Sequence, residues 1–169
     1  MSERGAAMGG SRTHRYEVAC GWSGSTAGGY DAYERTHSAT VSPSGSQLTM
    51  SSDAAFRGSP ELVNPEQLLL LAAVSCQLLS FLAVAARARI DVVAYVDEAT
   101  ALMPEDDPPL RVTEMLLRPR ITVRGAVREE RILHLVEVAH RECFIANSLR
   151  TSISIEATVV VLLSGSDGD

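Results

Sequence analysis

The chain has 169 residues, 46% of them hydrophobic, 21% charged and only 5% aromatic, a composition that suits one globular domain with a core drawn mainly from Leu, Val, Ile and Ala. The formal net charge is -6 and no Lys/Arg stripe occurs, which argues against nucleic acid as a partner and against a polybasic membrane anchor. Three cysteines, Cys20, Cys76 and Cys143, are too few and odd in number for a disulfide framework.

Residues 1–13, rich in Gly, Ser, Ala and Arg, are expected to be a disordered tail, and 164–169 a flexible one, leaving a single domain at 14–163. Met1 to Gly10 has no apolar h-region, so the expectation is a protein without a signal peptide, located in the cytoplasm. Tyr16, Val18, Cys20 and Trp22 alternate with Glu17, Ala19 and Gly21, the pattern of a half-buried strand, with Cys20 on its buried face as packing. The Ser/Gly stretch 23–29 reads as a turn into a second strand over 30–41. Pro43, Ser44 and Gly45 form another turn before a short strand at 47–50. The N-terminal third is thus an antiparallel meander.

Asn64 as N-cap, Pro65 at the first helical position and Gln67 three residues after the cap start a helix. No charge occurs from Leu68 to Ala86. A helix apolar on all sides is either a membrane span or a buried central helix. Ser75, Gln77 and Ser80 in mid-run, frequent Ala and the absence of a second such run favour the buried helix and no membrane.

Residues 91–103 and 110–123 are two long β-rich segments joined by Pro104-Glu105-Asp106-Asp107-Pro108-Pro109 as a hairpin-like connection, with Pro119 at an edge or bulge. Residues 128–141 form an amphipathic helix with Ile132, Leu135, Val136 and Ala139 on one face. Ile153, Ile155, Ala157, Val159 and Val161 alternate along a last strand. The order meander, helix, hairpin, helix, strand makes an α+β fold.

In a reducing compartment Cys76 and Cys143 are either two inert thiols or a redox pair. His140 and Cys143 share a helix face at i, i+3, but no second Cys/His pair accompanies them, so no metal is expected. No cofactor is expected, since the glycines at 21, 24, 28 and 29 lack the P-loop lysine and following helix.

Three segments carry a resemblance: Asn64-Pro65-Glu66-Gln67-Leu68, Ala72-Ala73-Val74-Ser75-Cys76, and Glu142-Cys143-Phe144-Ile145-Ala146-Asn147. With a cysteine ten residues after Glu66, a second cysteine closing the next long helix, and the element order over 14–162, the chain resembles the OsmC/Ohr family of osmotically inducible and organic-hydroperoxide-resistance proteins. The resemblance implies an OsmC-like fold, antiparallel sheets around a long buried central helix, in an intertwined homodimer. It implies thiol-dependent reduction of organic hydroperoxides, with Cys76 peroxidatic and Cys143 resolving, through a Cys76 sulfenic acid and a Cys76–Cys143 disulfide. The reductant would be a dithiol, in this family often a lipoylated protein.

Glu66 matches the family's glutamate, and Arg57 is the best match for the arginine it orients. The chemistry agrees: only a thiolate attacks a peroxide, an apolar helix raises a thiol's pKa, and Arg57 held by Glu66 through a two-pronged hydrogen bond would supply the missing cation. Ten helical residues put Glu66 and Cys76 about 15 Å apart along the axis, so either the helix breaks or a second subunit supplies a member of the site, and a composite site at a dimer interface is the natural solution. The chain departs from the family pattern at Phe144, where proline usually follows the second cysteine, and at Gln77, where a bulkier residue is common. The rival reading is a non-catalytic OsmC-like module that binds a lipid-like apolar ligand.

Overall fold

The computed structural model describes residues 12–163; the expected tails fall outside these residues except for Arg12 and Thr13. The chain divides into two compact units, one ending at Asn64 and one beginning at Pro65.

In the first unit, strands β1 (Glu17–Gly21), β2 (His37–Ser42) and β3 (Ser46–Met50) form the expected antiparallel meander in the order β1-β2-β3. Gly45 turns β2 into β3 at φ 72°, a left-handed conformation that glycine adopts without penalty. Two expectations need correction. Strand β2 starts at His37 rather than near Tyr30. The reason is Arg35, whose guanidinium donates to the carbonyls of Tyr30 and Tyr33 and lies 4.8 and 3.9 Å from the centroids of their rings. The loop backbone is committed to this cation and does not enter the ladder. Cys20 is exposed, not packed. Strand β1 pairs on one side with β2 and is exposed at every position, so its apolar alternation does not mark a buried face.

After β3, Asp53 caps a 3-10 turn (Ala54–Phe56), accepting from the Ala55 N–H at 2.8 Å. Arg57 closes the turn in the left-handed region at φ 64°. Gly58 follows where a Cβ would stand 1.7 Å from the Ser52 carbonyl oxygen, so a side chain there is excluded.

The second unit opens with helix α1 (Pro65–Arg87), beginning where the N-terminal signal predicted. It ends as Ile90 N–H bonds back to the Ala85 carbonyl at 2.9 Å, with Arg89 at φ 58°. Strands β4 (Asp91–Asp97), β5 (Thr100–Leu102), β6 (Glu114–Leu117) and β7 (Pro119–Arg124) precede helix α2 (Glu129–Glu142), and β8 (Ser152–Ile155) and β9 (Thr158–Leu162) follow it. Each long β segment of the sequence breaks in two and feeds two sheets, β4-β7-β9 and β5-β6-β8. The breaks fall at Glu98–Ala99, at Arg118 and at Glu156–Ala157. Pro119 starts β7 immediately after one of them, the other place where a ladder tolerates a residue without an N–H. The pairings β4·β7 and β5·β6 are antiparallel. Strands β8 and β9 instead pair in parallel with β6 and β7, because α2 carries the chain back across the sheets as a crossover.

The inner face of α1 serves two clusters. Phe81, Val84 and Ala85 pack with Ile121, Val123, Ile132, Val136 and Ala139, and Ala73 packs with Val112, Met115 and Leu117. Each large side chain so buried contributes about 1.5–3 kcal/mol. The helix is long and apolar enough to cross a membrane by length and composition, at a mean hydropathy of 2.4. Within one chain the sheets and α2 cover one side of it, leaving Leu71 and Leu79 59% and 63% exposed on the other.

Candidate active site

Helix α1 lays Cys76 against the end of α2. Gln77, the next residue, is buried and donates Nε2 to the Val136 carbonyl at 3.3 Å, tying the two helices together. Its Oε1 is buried with no hydrogen-bond partner among the described residues. Cys143 is the C-cap of α2 and is 1% exposed. The chain then turns sharply through Phe144 and Ile145 into a 3-10 turn (Ala146–Ser148).

This turn meets both sulfurs. The Ile145 N–H donates to Cys76 Sγ at 3.5 Å, and the Ala146 N–H donates to Cys143 Sγ at 3.5 Å. The other side of the turn is braced. Asn147 Nδ2 donates to the carbonyls of Arg141 and Cys143, both at 3.0 Å. Ser148 Oγ donates to the Phe144 carbonyl at 2.7 Å, and the Ser148 N–H to that of Ile145 at 2.9 Å.

The two thiols are electrostatically unequal. Burial raises Cys76, but the Ile145 N–H, the Cys143 thiol, the Phe144 N–H and the Ser80 hydroxyl together outweigh it and hold Cys76 below the ordinary thiol range. Burial also raises Cys143, and there the hydrogen bond and the negative charge at Cys76 reinforce it, so Cys143 is pushed up to about 11. Of the two, Cys76 is therefore the sulfur that loses its proton more readily, and a thiolate is the form that attacks electrophilic oxygen.

Cys76 opens onto a groove of about 730 Å³. Its apolar wall comes from Ala72, Leu79, Ala83, Phe144 and Ile145. Arg87 and Glu142, both lining it, form an ion pair at 2.5 Å.

Of the four residues singled out in the sequence, the structure brings Cys76 and Cys143 together. Glu66 lies in the first turn of α1, ten residues from Cys76 and about 15 Å away along the axis. Arg57 belongs to the first unit, where its Nε pairs with Asp31 Oδ1 at 2.7 Å. Reasoning from sequence missed the donors at Phe144 and Ile145, the Ser80 hydroxyl and the bracing by Asn147. Backbone N–H groups leave no sequence signal.

A sequence model of OsmC-like proteins matches residues 58–158. The chain is similar in structure to an OsmC-like protein of unknown function from Vibrio cholerae, with 26% identity and a TM-score of 0.77 over 86% of this chain and 100% of that one. It is also similar to an organic hydroperoxide resistance protein OsmC from Legionella pneumophila, with 15% identity and a TM-score of 0.67 over 89% and 100%. The organic hydroperoxide resistance protein OhrB of Bacillus subtilis is similar at 16% identity and a TM-score of 0.57 over 87% and 98%. At these two identities the likeness establishes the fold. No curated protein matches the chain.

Proposed function

Because the chain belongs to the OsmC-like protein family, we propose that it is a thiol peroxidase that reduces organic hydroperoxides to alcohols. The observation that carries this reading is the unequal thiol pair, with Cys76 held low and Cys143 high on adjacent amides of one turn. Two inert core cysteines need no such asymmetry. Similar folds named for organic hydroperoxide resistance support the same reading.

In the proposed reaction the Cys76 thiolate attacks the terminal oxygen of the hydroperoxide. The O–O bond breaks, an S–O bond forms, and the alkoxide leaves as the alcohol after taking a proton. Cys143, as thiolate, then attacks the sulfenic sulfur, expelling hydroxide and forming the disulfide. An external dithiol, of the lipoyl class in this proposal, reduces the disulfide by exchange. Arg57 and Glu66 enter the proposal as a guanidinium and its orienting carboxylate, completed in a site shared between two copies.

The apolar groove wall suits a hydrocarbon substituent. Cumene hydroperoxide is therefore expected to react with a kcat/KM at least about tenfold above that of hydrogen peroxide, since burying two methylene equivalents is worth about 1.6 kcal/mol. Peroxide consumption with dithiothreitol or dihydrolipoamide as donor measures this. A peroxide pulse should also remove two hydrogens from the intact mass as the disulfide closes. Equal rates for the two peroxides overturn the apolar preference. No consumption and no disulfide leave the apolar-ligand module instead.

We further propose a homodimer. Leu71, Leu79 and Leu82 stand exposed on α1, with Phe144 at 79% beside the groove, an apolar surface that a second copy would cover. Sedimentation at micromolar concentration should give twice the 18.1 kDa chain mass; a monomer at that concentration counts against the shared site.

A further inference from the structure

The turn after α2 offers successive main-chain N–H groups to two sulfurs, while its carbonyls are engaged from behind. The carbonyls of Arg141 and Cys143 accept from Asn147 Nδ2, and those of Phe144 and Ile145 accept from Ser148. A short segment whose consecutive N–H groups converge on one side forms a concave anion site. Here the anion is the protein's own sulfur.

We propose that Asn147 is a positioning residue of the peroxidatic centre, aiming the amides of Phe144 and Ile145 at Cys76 so that these main-chain donors favour its thiolate form. This rests on the reading of Cys76 as the attacking sulfur. It assigns the activation of that sulfur to donors within the second unit, and it gives the amide of Phe144 a task that proline at this position cannot perform, for want of an N–H. The backbone at Cys143, φ -71° and ψ 113°, already lies in the region a following proline requires. Phe144→Pro therefore removes the N–H without forcing Cys143 out of its conformation.

The experiment follows alkylation of Cys76 by iodoacetamide against pH, in a Cys20→Ser background so that the exposed thiol does not compete. Peptide mass distinguishes Cys76 from Cys143. Asn147→Ala, Asn147→Leu and Phe144→Pro are each expected to move the midpoint of the profile up. The rate at pH 7 should fall about tenfold, the equivalent of one lost hydrogen bond to a charged acceptor. The plateau rate at high pH should stay unchanged. Asn147→Leu is nearly isosteric, lacks the amide donor and adds no charge, and keeps the test valid if the alanine variant unfolds. A purely structural role would alter the plateau or expose Cys143 without moving the midpoint, and that result overturns the proposal. A midpoint moved by Arg57→Ala but by none of the three turn variants overturns it too. Consumption of cumene hydroperoxide by the unmutated protein is measured alongside. If Cys76 titrates low and responds to the turn variants while no peroxide is consumed, the peroxidase reading fails and the amide cradle stands.

Discussion

Cys76→Ser is expected to reduce peroxide consumption to the uncatalysed background, a loss of at least about 10³-fold for removal of a nucleophile. A serine hydroxyl does not ionise in the range where the Ile145 and Phe144 amides hold a thiolate, so the cradle is left without an anion. The same variant reads the neighbouring thiol. Cys143 is raised to about 11 by burial first, then by the hydrogen bond and charge at Cys76. With a neutral hydroxyl at position 76 the charge disappears and only part of the elevation remains. The alkylation midpoint of Cys143 is therefore expected to fall below its value in the unmutated protein. Oxidation of Cys76 to the sulfenic acid removes the same charge, so the resolving thiol gives up its proton more readily only after the first step. Residual turnover within about tenfold of the unmutated protein would assign the nucleophile elsewhere. Cys20→Ser is the matched control and should leave turnover intact, because Cys20 is exposed on β1, outside the thiol pair.

Cys143→Ser should separate the two half-reactions. Its hydroxyl still donates toward Cys76, so the first attack proceeds, but no disulfide can form. One equivalent of peroxide is expected to be consumed rapidly, leaving Cys76 with one added oxygen that a dimedone-type reagent captures. Steady-state turnover should then fall at least about tenfold, because an external thiol must find a half-buried sulfenic acid without a tethered partner. Intact mass distinguishes the cases: one oxygen gained in the variant, two hydrogens lost in the unmutated protein. If the variant forms a disulfide through Cys20, or turns over at the original rate, Cys143 is not the resolving residue.

Local signals determined a large part of this molecule. Asn64-Pro65 started α1 at Pro65, the uncharged run carried it through its length, and Ile132, Val136 and Ala139 marked the buried face of α2. These features depend on residues within a turn or two of one another, where capping and periodicity act. The cysteines were legible as a pair only through the family resemblance, since the residues by themselves left them as two inert thiols or a redox pair. What tertiary structure alone decided was pairing and polarity. The long β segments read as continuous strands, yet they split between two sheets, since strand partners are chosen by distant residues. Strand β2 started late because Arg35 engaged the loop carbonyls. Most of all, two of the groups that lower Cys76, with the largest among them, are main-chain amides, which every residue but proline carries and no sequence pattern distinguishes. Only the fold of the turn behind Asn147 and Ser148 aims them at a sulfur 69 positions away from Ile145 in the chain.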